Sequence, residues 1–407
     1  MALLVDTLGT GMWLPIGLIF FTRAQHIPLA QVGPALTIGG LVGLLIGPVG
    51  GTLVDRWGPA RLVLLSTAAR VVVFALYPAV GAAWQVAVLA ALFSACDRLF
   101  WTANTPMAAQ FTENLSSEAA VQVPRGLPPQ SRRPGQGRAL DRTISTQNVV
   151  RIVGLGAGAG LSGLLAGNLA GLHWLAYLNA ASYLVASVVI VASVRLRRQA
   201  TSATERTVGW RDVLADRPFM LFCGIQVLYA LSALSLVVIL PVVALSTFGG
   251  PAWLPGVSIL LGNVALALAQ KPAIRLVGRT SRLRGLVLAS ATFAVTFVLL
   301  AFGTYVGRGW VVPLVLAASA FGVVGEALFG PLMVAAANDA APPSLEGRYS
   351  ALFQTAWGLA TVLAPALFTS LLVVGNEALW SVLAVLALLA VPALRVVGTR
   401  LPHAVLR

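Results

Sequence analysis

The sequence predicts an all-α membrane protein, with twelve transmembrane helices arranged as two six-helix bundles. Three observations predict it. Mean hydropathy is +0.88, and charged residues make up 10% of the 407-residue chain, against about 25% in soluble domains. Apolar runs recur at lengths near the ~20 residues that a helix needs to cross a bilayer. Basic residues gather in alternate loops between those runs. The alternating apolar and polar segments of a membrane β-barrel are absent, and no cleavable signal peptide is visible.

The spans run in order at about 2–22, 31–54, 62–80, 84–108, 143–168 and 173–194, then 219–246, 252–274, 284–306, 310–336, 349–374 and 377–398. Gly and Pro are scattered through them, as membrane helices tolerate. Span 1 starts almost at Met1, which leaves room for a start further upstream. Span 5 carries Gly154, Gly156, Gly158, Gly160, Gly163 and Gly167. Small residues at spacing four let a neighbouring helix, 8 or 1, approach closely. Residues 123–137 are rich in Pro, Gly, Gln and Arg. They read as a flexible connector, with a regulatory or lipid-binding segment as the alternative. The polar stretch opening Arg195-Leu196-Arg197-Arg198 divides the spans six and six. It sets an N-terminal bundle at 1–194, a linker at 195–218 and a C-terminal bundle at 219–407. Weak repetition agrees. Gly81-Ala82-Ala83-Trp84 opens span 4 as Gly307-Arg308-Gly309-Trp310 opens span 10, with Pro106 and Pro331 near their far ends. Gln147 and Gln354 follow Arg142 and Arg348 in the same way.

The charge distribution orients the chain. With the N-terminus in the cytoplasm, the inside loops and tail hold 22 of the 27 basic residues, and the outside loops only Arg23 and Arg308. This is the positive-inside rule, and it puts both termini in the cytoplasm. The net charge of +14 is therefore an orientation device and a contact with anionic lipid of the bilayer, not a nucleic-acid surface. Cys96 and Cys223 fall within spans and behave as small apolar residues. His26, His173 and His403 are dispersed near span ends. No metal, cofactor or catalytic constellation is expected, and no Walker sequence makes ATP the energy source.

The most telling motif joins spans 2 and 3: Gly51-Thr52-Leu53-Val54-Asp55-Arg56-Trp57-Gly58-Pro59-Ala60-Arg61. A short Asp/Arg/Gly loop must turn tightly at the water interface, where glycine removes side chains that would crowd. The string resembles the loop between helices 2 and 3 of the major facilitator superfamily (MFS), read as G-x-L-a-D-R-x-G-R-[KR]. Gly51, Leu53, Asp55, Arg56 and Gly58 match; Pro59 and Ala60 replace the usual basic pair, and Arg61 supplies one missing charge. The resemblance implies the MFS fold and a conformational-switch loop at Gly51, Asp55, Arg56, Gly58 and Arg61. There Asp55 would meet the start of helix 11, near Arg348 and Tyr349. It also implies the bacterial cytoplasmic, or inner, membrane.

Ionisable residues inside a bilayer are costly, and each is a functional hypothesis. They are Asp6, Arg70, Asp97, Arg98, Arg151 and Glu326. Asp97 has Arg151 and Arg70 as plausible charge partners; a structural pair between Asp97 and Arg151 is the bland alternative. Arg70 is expected to snorkel to the interface, and Asp6 is open to an interfacial placement. In the MFS arrangement helices 1, 4, 7 and 10 line the cavity. That resemblance makes Asp6, Asp97, Arg98 and Glu326 cavity candidates, with Trp13, Trp101, Asn104, Gln226 and Tyr229 as neutral lining. Glu326 has no basic residue within a helical turn, so it is expected to carry the proton, with Asp97 and Arg98 orienting substrate or gating.

The function this implies is secondary active transport of a small organic molecule by alternating access, a proton-coupled efflux antiporter working as a monomer. It is not an enzyme. The alternatives are uptake of an anionic metabolite, favoured by Arg98 and Arg151, and a non-transporting membrane sensor or scaffold.

Overall fold

The computed structural model describes residues 2–120, 150, 153–165, 167, 169–193, 210–277, 281–342 and 346–400. Among the described residues there is no strand. The long helices of the first half are α1 (Ala2–Trp13), α2 (Leu29–Trp57), α3 (Pro59–Leu76), α4 (Ala83–Ala120), α5 (Val153–Leu165) and α6 (Leu169–Ser193). A short helix, Trp210–Ala215, precedes α7 (Arg217–Val238), α8 (Leu254–Val277), α9 (Arg282–Ala301), α10 (Val311–Ala340), α11 (Glu346–Val374) and α12 (Asn376–Arg400). Nine described helices are long and apolar enough to cross a membrane, or ten if the bent pair at the start is one span. Val153–Leu165 and Leu254–Ala269 are apolar but shorter.

The first span is broken where the sequence suggested a continuous run. α1 stops at Trp13 and the chain resumes at Gly17–Ala24 after a 50° bend. Pro15 lies in the break; proline cannot donate to the helical ladder, and its ring displaces the carbonyl four residues back. The resumed segment ends in a wide π-helical turn, Phe20–Ala24. α7 repeats the device, with Pro241 just past its end in Leu240–Val242 and a π-helical turn at Val243–Thr247. α4 continues to Ala120, past the expected end at 108, because no Gly or Pro interrupts the chain between Met107 and Ala120.

Local chemistry sets several helix starts. Gly58 turns the chain from α2 into α3 with φ +80°, a backbone open to glycine, and Pro59 is pre-set for the first helical position. Asp216 caps α7, its Oδ1 accepting from Phe219 N at 3.1 Å. Ser281 does the same for α9.

Within the first half α2 packs on α4, α3 on α4 and α6, and α1 on α6. Six numbers later the pairs recur: α8 on α10, α9 on α10 and α12, α7 on α12. Two seams join the sets. α5 presents glycines to both expected neighbours: Gly154 and Gly158 face Thr7, Leu8 and Met12 of α1, while Gly156 and Gly160 face Leu260 of α8. Further along, Gly256 of α8 lies directly against the backbone of Ala159 and Gly163, with no room for a side chain. The other seam is α2 on α11. There Thr37 Oγ1 donates to Val362 O at 2.7 Å and accepts from Ala366 N at 3.1 Å.

Arg56, Arg61, Arg217, Arg282, Arg284 and Arg348 lie in terminal turns at the end of the molecule that carries the Gly58 turn, and Arg395 lies five residues before the end of α12. Arg23 and Arg308 lie at the opposite end.

Candidate functional site

A cavity of about 660 Å³ lies between the two sets of helices, within the size range of small-molecule sites. Leu14 and Leu155 contribute from α1's break and α5; the remaining wall comes from α7, α8, α10 and α11. Its polar side chains are Gln226, Asn263, Glu326, Asn338 and Gln354, and its aromatic ones Phe329, Phe353 and Trp357. The aromatic wall is fixed from behind. Trp357 and Phe329 rings lie parallel at 6.3 Å, and Tyr229 stacks on the other side of Phe329 at 5.2 Å. The Tyr229 hydroxyl sits 2.6 Å from Leu286 O and 2.8 Å from Ser290 Oγ, so a buried polar group is satisfied while its ring supports the wall.

The cavity runs from Leu14 and Val237, at the breaks of α1 and α7, to Asn338, two residues before the end of α10. At the end away from Gly58 it is sealed. The resumed segment Gly17–Ile19 touches Leu240–Val242, and the Thr37 and Gly256 seams lie in the same half.

Gln226 and Glu326, expected as lining, are in the wall. Tyr229 stands one layer behind it. Trp13 is instead part of an aromatic cluster, stacked on Tyr77 at 5.1 Å and edge-on to Phe74 at 4.9 Å. Trp101 is 41% exposed beside Phe100. The side chain of Asn104 and the whole of Arg151 lie outside the described residues. Asn263, Gln354 and Trp357 were missed by the helix 1/4/7/10 reasoning, because α8 and α11 also face the cavity; Asn338 was missed because α10 runs past the span end expected at 336. Amides within otherwise apolar spans were the available signal.

The buried charges form a separate cluster. Arg70 does not snorkel: it is 1% exposed. Its Nη1 donates to Asp6 Oδ1 at 3.1 Å and its Nη2 to Asp97 Oδ1 at 2.9 Å. Its Cζ lies 4.6 Å from the centre of the Phe100 ring, 5.4 Å from Tyr183 and 5.8 Å from Phe93. Aromatic faces favour a cation placed over them. Asp6 is therefore neither interfacial nor in the cavity wall; it is 3% exposed and tied to α3. Asp97 has Arg70 as its partner. The next residue, Arg98, points elsewhere: its guanidinium lies against Gly358 of α11. It makes no ion pair among the described residues.

In the switch loop, Arg56 and Arg61 are exposed and Gly58 makes the turn. The side chains of Gly51's neighbour Thr52 and of Asp55 lie outside the described residues, and with them the expected contact to α11. Near the start of α11, Tyr349 Oη donates to Asp216 Oδ2 at 2.7 Å, and its ring packs on Phe219 at 4.3 Å.

The Major Facilitator Superfamily model matches residues 1–365. The chain belongs to the major facilitator superfamily. Solved MFS-like transporters share its fold. A crystal structure of the nucleoside transporter NupG, in a mutant form, superposes with a TM-score of 0.78 at 11% identity, covering 97% of this chain and 98% of that one. A POT family transporter in complex with 5-aminolevulinic acid gives 0.71 at 11% identity, over 98% and 94%. The peptide transporter POT in complex with alafosfalin gives 0.69 at 14% identity, over 98% and 94%. Among curated proteins, none matches the chain at a significant level. As a superfamily member the protein is a membrane transporter and not an enzyme.

Proposed function

We propose that this MFS member exports a small, partly apolar organic molecule from the bacterial cytoplasm in exchange for protons. Twelve spans, grouped as 1–194 and 219–407 about a linker at 195–218, form two bundles that rock about the cavity and expose it to each side in turn. The observation that carries this reading is the cavity: aromatic and amide walls, one carboxylate, a seal at one end and an extension to the other. The recurring helix pairs and the proline-then-π breaks of α1 and α7 support two related halves. The arginines at the Gly58 end favour that end as cytoplasmic, with both termini there. The present state is then inward-facing, the state in which an exporter loads. The cavity is built within one chain, which favours a monomer.

Resistance profiling in an exporter-deficient bacterial strain tests this. Expression should raise resistance to several amphipathic compounds, and an uncoupler should abolish the effect. A growth requirement for one nutrient would replace it with the second reading, uptake of an anionic metabolite. Arg98 favours that alternative, because its guanidinium stands between α4 and α11 without an ion pair among the described residues.

A further inference from the structure

We infer that His173 is a pH-sensitive brace behind the cavity seal: neutral, it lets Gln25 tie the resumed segment of the first span to α3, and protonated it breaks that tie. The bearing on transport rests on the alternating-access reading above; the switch itself does not. Gln25 follows the π-helical turn Phe20–Ala24. Its Nε2 lies 3.3 Å from Pro78 O, just past the end of α3, and 3.3 Å from Nε2 of His173 on α6. The other ring nitrogen, Nδ1, lies 2.9 Å from Leu169 O. The buried Phe20 ring meets the imidazole edge-on at 5.7 Å and holds it in place.

Donor rules leave one arrangement. Carbonyl oxygens only accept. Pro78 O therefore requires an amide N–H of Gln25, which fixes the orientation of that amide. Leu169 O requires the imidazole proton on Nδ1. Nε2 is then the bare ring nitrogen, and it accepts the second N–H of Gln25. One neutral tautomer satisfies all three contacts; the imidazolium does not. A proton passed from water to Nε2 turns that atom into a donor facing a donor. Gln25 can rotate its Oε1 to meet the new N–H, but Oε1 then faces the Pro78 carbonyl, acceptor to acceptor. Only one of the two contacts survives, so the tie to α3 is lost. The new N–H is the only covalent bond formed. Imidazole is the side chain whose charge changes between about pH 5 and 8.

All three residues sit at helix ends. His173 is the fifth residue of α6, and Pro78 belongs to the 3-10 turn after α3. α6 packs on α1, α3, the π-helical turn and that 3-10 turn. Their titratable groups toward this end are Arg23 and His26 around the π-helical turn, Tyr77 after α3, and Tyr177 one turn along α6 itself. Asp6 of α1 and Arg70 of α3 belong to the layer of Tyr183, ten residues further along α6 and about 15 Å away. Gly17–Ile19 makes the seal against Leu240–Val242, and the Gln25 tie pins that segment from behind. Phe21 stays edge-on to Tyr77 at 5.1 Å, so losing the tie loosens the segment without releasing it. Acid therefore weakens the seal.

The test uses the whole protein in lipid nanodiscs, once with nitrogen-labelled histidine for NMR and once with a nitroxide on Arg23→Cys in a Cys96→Ala, Cys223→Ala background. Above neutral pH, one of the three histidines should show the Nδ1–H tautomer, and its signal should disappear in His173→Gln. On acidification the mobile fraction of the nitroxide should rise about two- to tenfold, the change that losing one neutral hydrogen bond allows. The rise should span the pH range in which that histidine signal titrates. It should survive His26→Asn, a change that the φ of +55° at His26 admits, and be absent in His173→Gln. In Gln25→Leu, which cannot tie Pro78, the label should be mobile at every pH. An Nε2–H tautomer at His173, a rise that persists in His173→Gln or one lost in His26→Asn overturns the switch. If His173→Gln does not fold, Gln25→Leu decides, and low mobility or a pH-dependent rise there overturns it. These measurements use no cargo and no proton gradient. A failure here leaves the export reading standing, and a failure in resistance profiling leaves the switch standing.

Discussion

Thr37 on α2 and Ala366 on α11 share a hydrogen bond that a helix ordinarily makes within itself. Ala366 N donates to Thr37 Oγ1 at 3.1 Å, and Thr37 donates in turn to Val362 O at 2.7 Å. The side chain is thereby inserted between a carbonyl and the amide four residues on. Pro365, next to Ala366, lacks the N–H that would hold this turn closed, and inserted side chains are a recognised partner of such kinks. Thr37→Val keeps the shape and removes both bonds. The expected loss is about 1–2 kcal/mol, seen as a lower midpoint of thermal unfolding in detergent. An unchanged midpoint would show that α11 closes its own ladder once the threonine is gone.

Gly256 marks the other seam. A side chain there meets the backbone of Ala159 and Gly163, which cannot swing aside as a flexible side chain would. Gly256→Val should cost about 1–3 kcal/mol through overpacking and should unseal the end away from Gly58. A cysteine placed at Val237 would then react with an impermeant maleimide added from that end. Wild-type protection in Gly256→Val counts against the seal.

Removing different members of the charge cluster should have unequal effects. Arg70→Met leaves two carboxylates without their cation, and breaking a buried pair this way costs about 3–5 kcal/mol. Asp97→Asn leaves one cation facing one anion, Arg70 with Asp6, and should be milder. The readout is the folded fraction recovered by size-exclusion chromatography. Equal recovery of the two variants would show that losing the shared cation costs no more than losing one of its two anions.

The expected Asp55 contact would belong to a conformation closed at the Gly58 end. A carboxylate at the start of α11 meets unsatisfied N–H groups and the positive end of the helix dipole, an interaction worth about 0.3–2 kcal/mol. Asp55→Asn should insert normally, lose most transport and shift the population toward the inward-facing state. Transport by purified Asp55→Asn at the wild-type rate removes the latch.

Orientation is checked by reporter fusions. Fusions at Arg133, Arg206 and the C-terminus should read cytoplasmic, and one at Arg308 external. An external reading at Arg206 breaks the twelve-span arrangement.

Much of the fold was legible because it depends on composition and spacing alone. Apolar length marks the spans, and the glycines of span 5 announce close neighbours without saying which face meets which. The Gly58 turn is equally local. The charge cluster was not legible. Asp6, Arg70 and Asp97 are far apart in sequence, and only the rotation of three helices about their axes brings them together. Arg70 looked like a snorkelling residue because it is within reach of a membrane surface; its neighbours Phe93, Phe100 and Tyr183 draw it inward. The cavity was half legible. Gln226 and Glu326 were visible as polar residues on central helices. Asn263 and Gln354 sit on α8 and α11, two helices outside the set of four from which the lining was expected. Pro15 was visible too, but whether a proline bends a span or merely kinks it depends on the packing around it.

The Asp6–Arg70 pair also bears on how the chain is made. Synthesis runs from the N-terminus, so α1 is complete before α3 leaves the ribosome, and α4 follows. A lone arginine at the centre of a nascent helix raises the free energy of insertion by about 2.5–3.5 kcal/mol. When α3 emerges, a carboxylate is already waiting in α1, while Asp97 is still to come. Asp6 would then meet Arg70 as α3 enters the lipid, and its loss would be felt during biogenesis, before any cargo is moved.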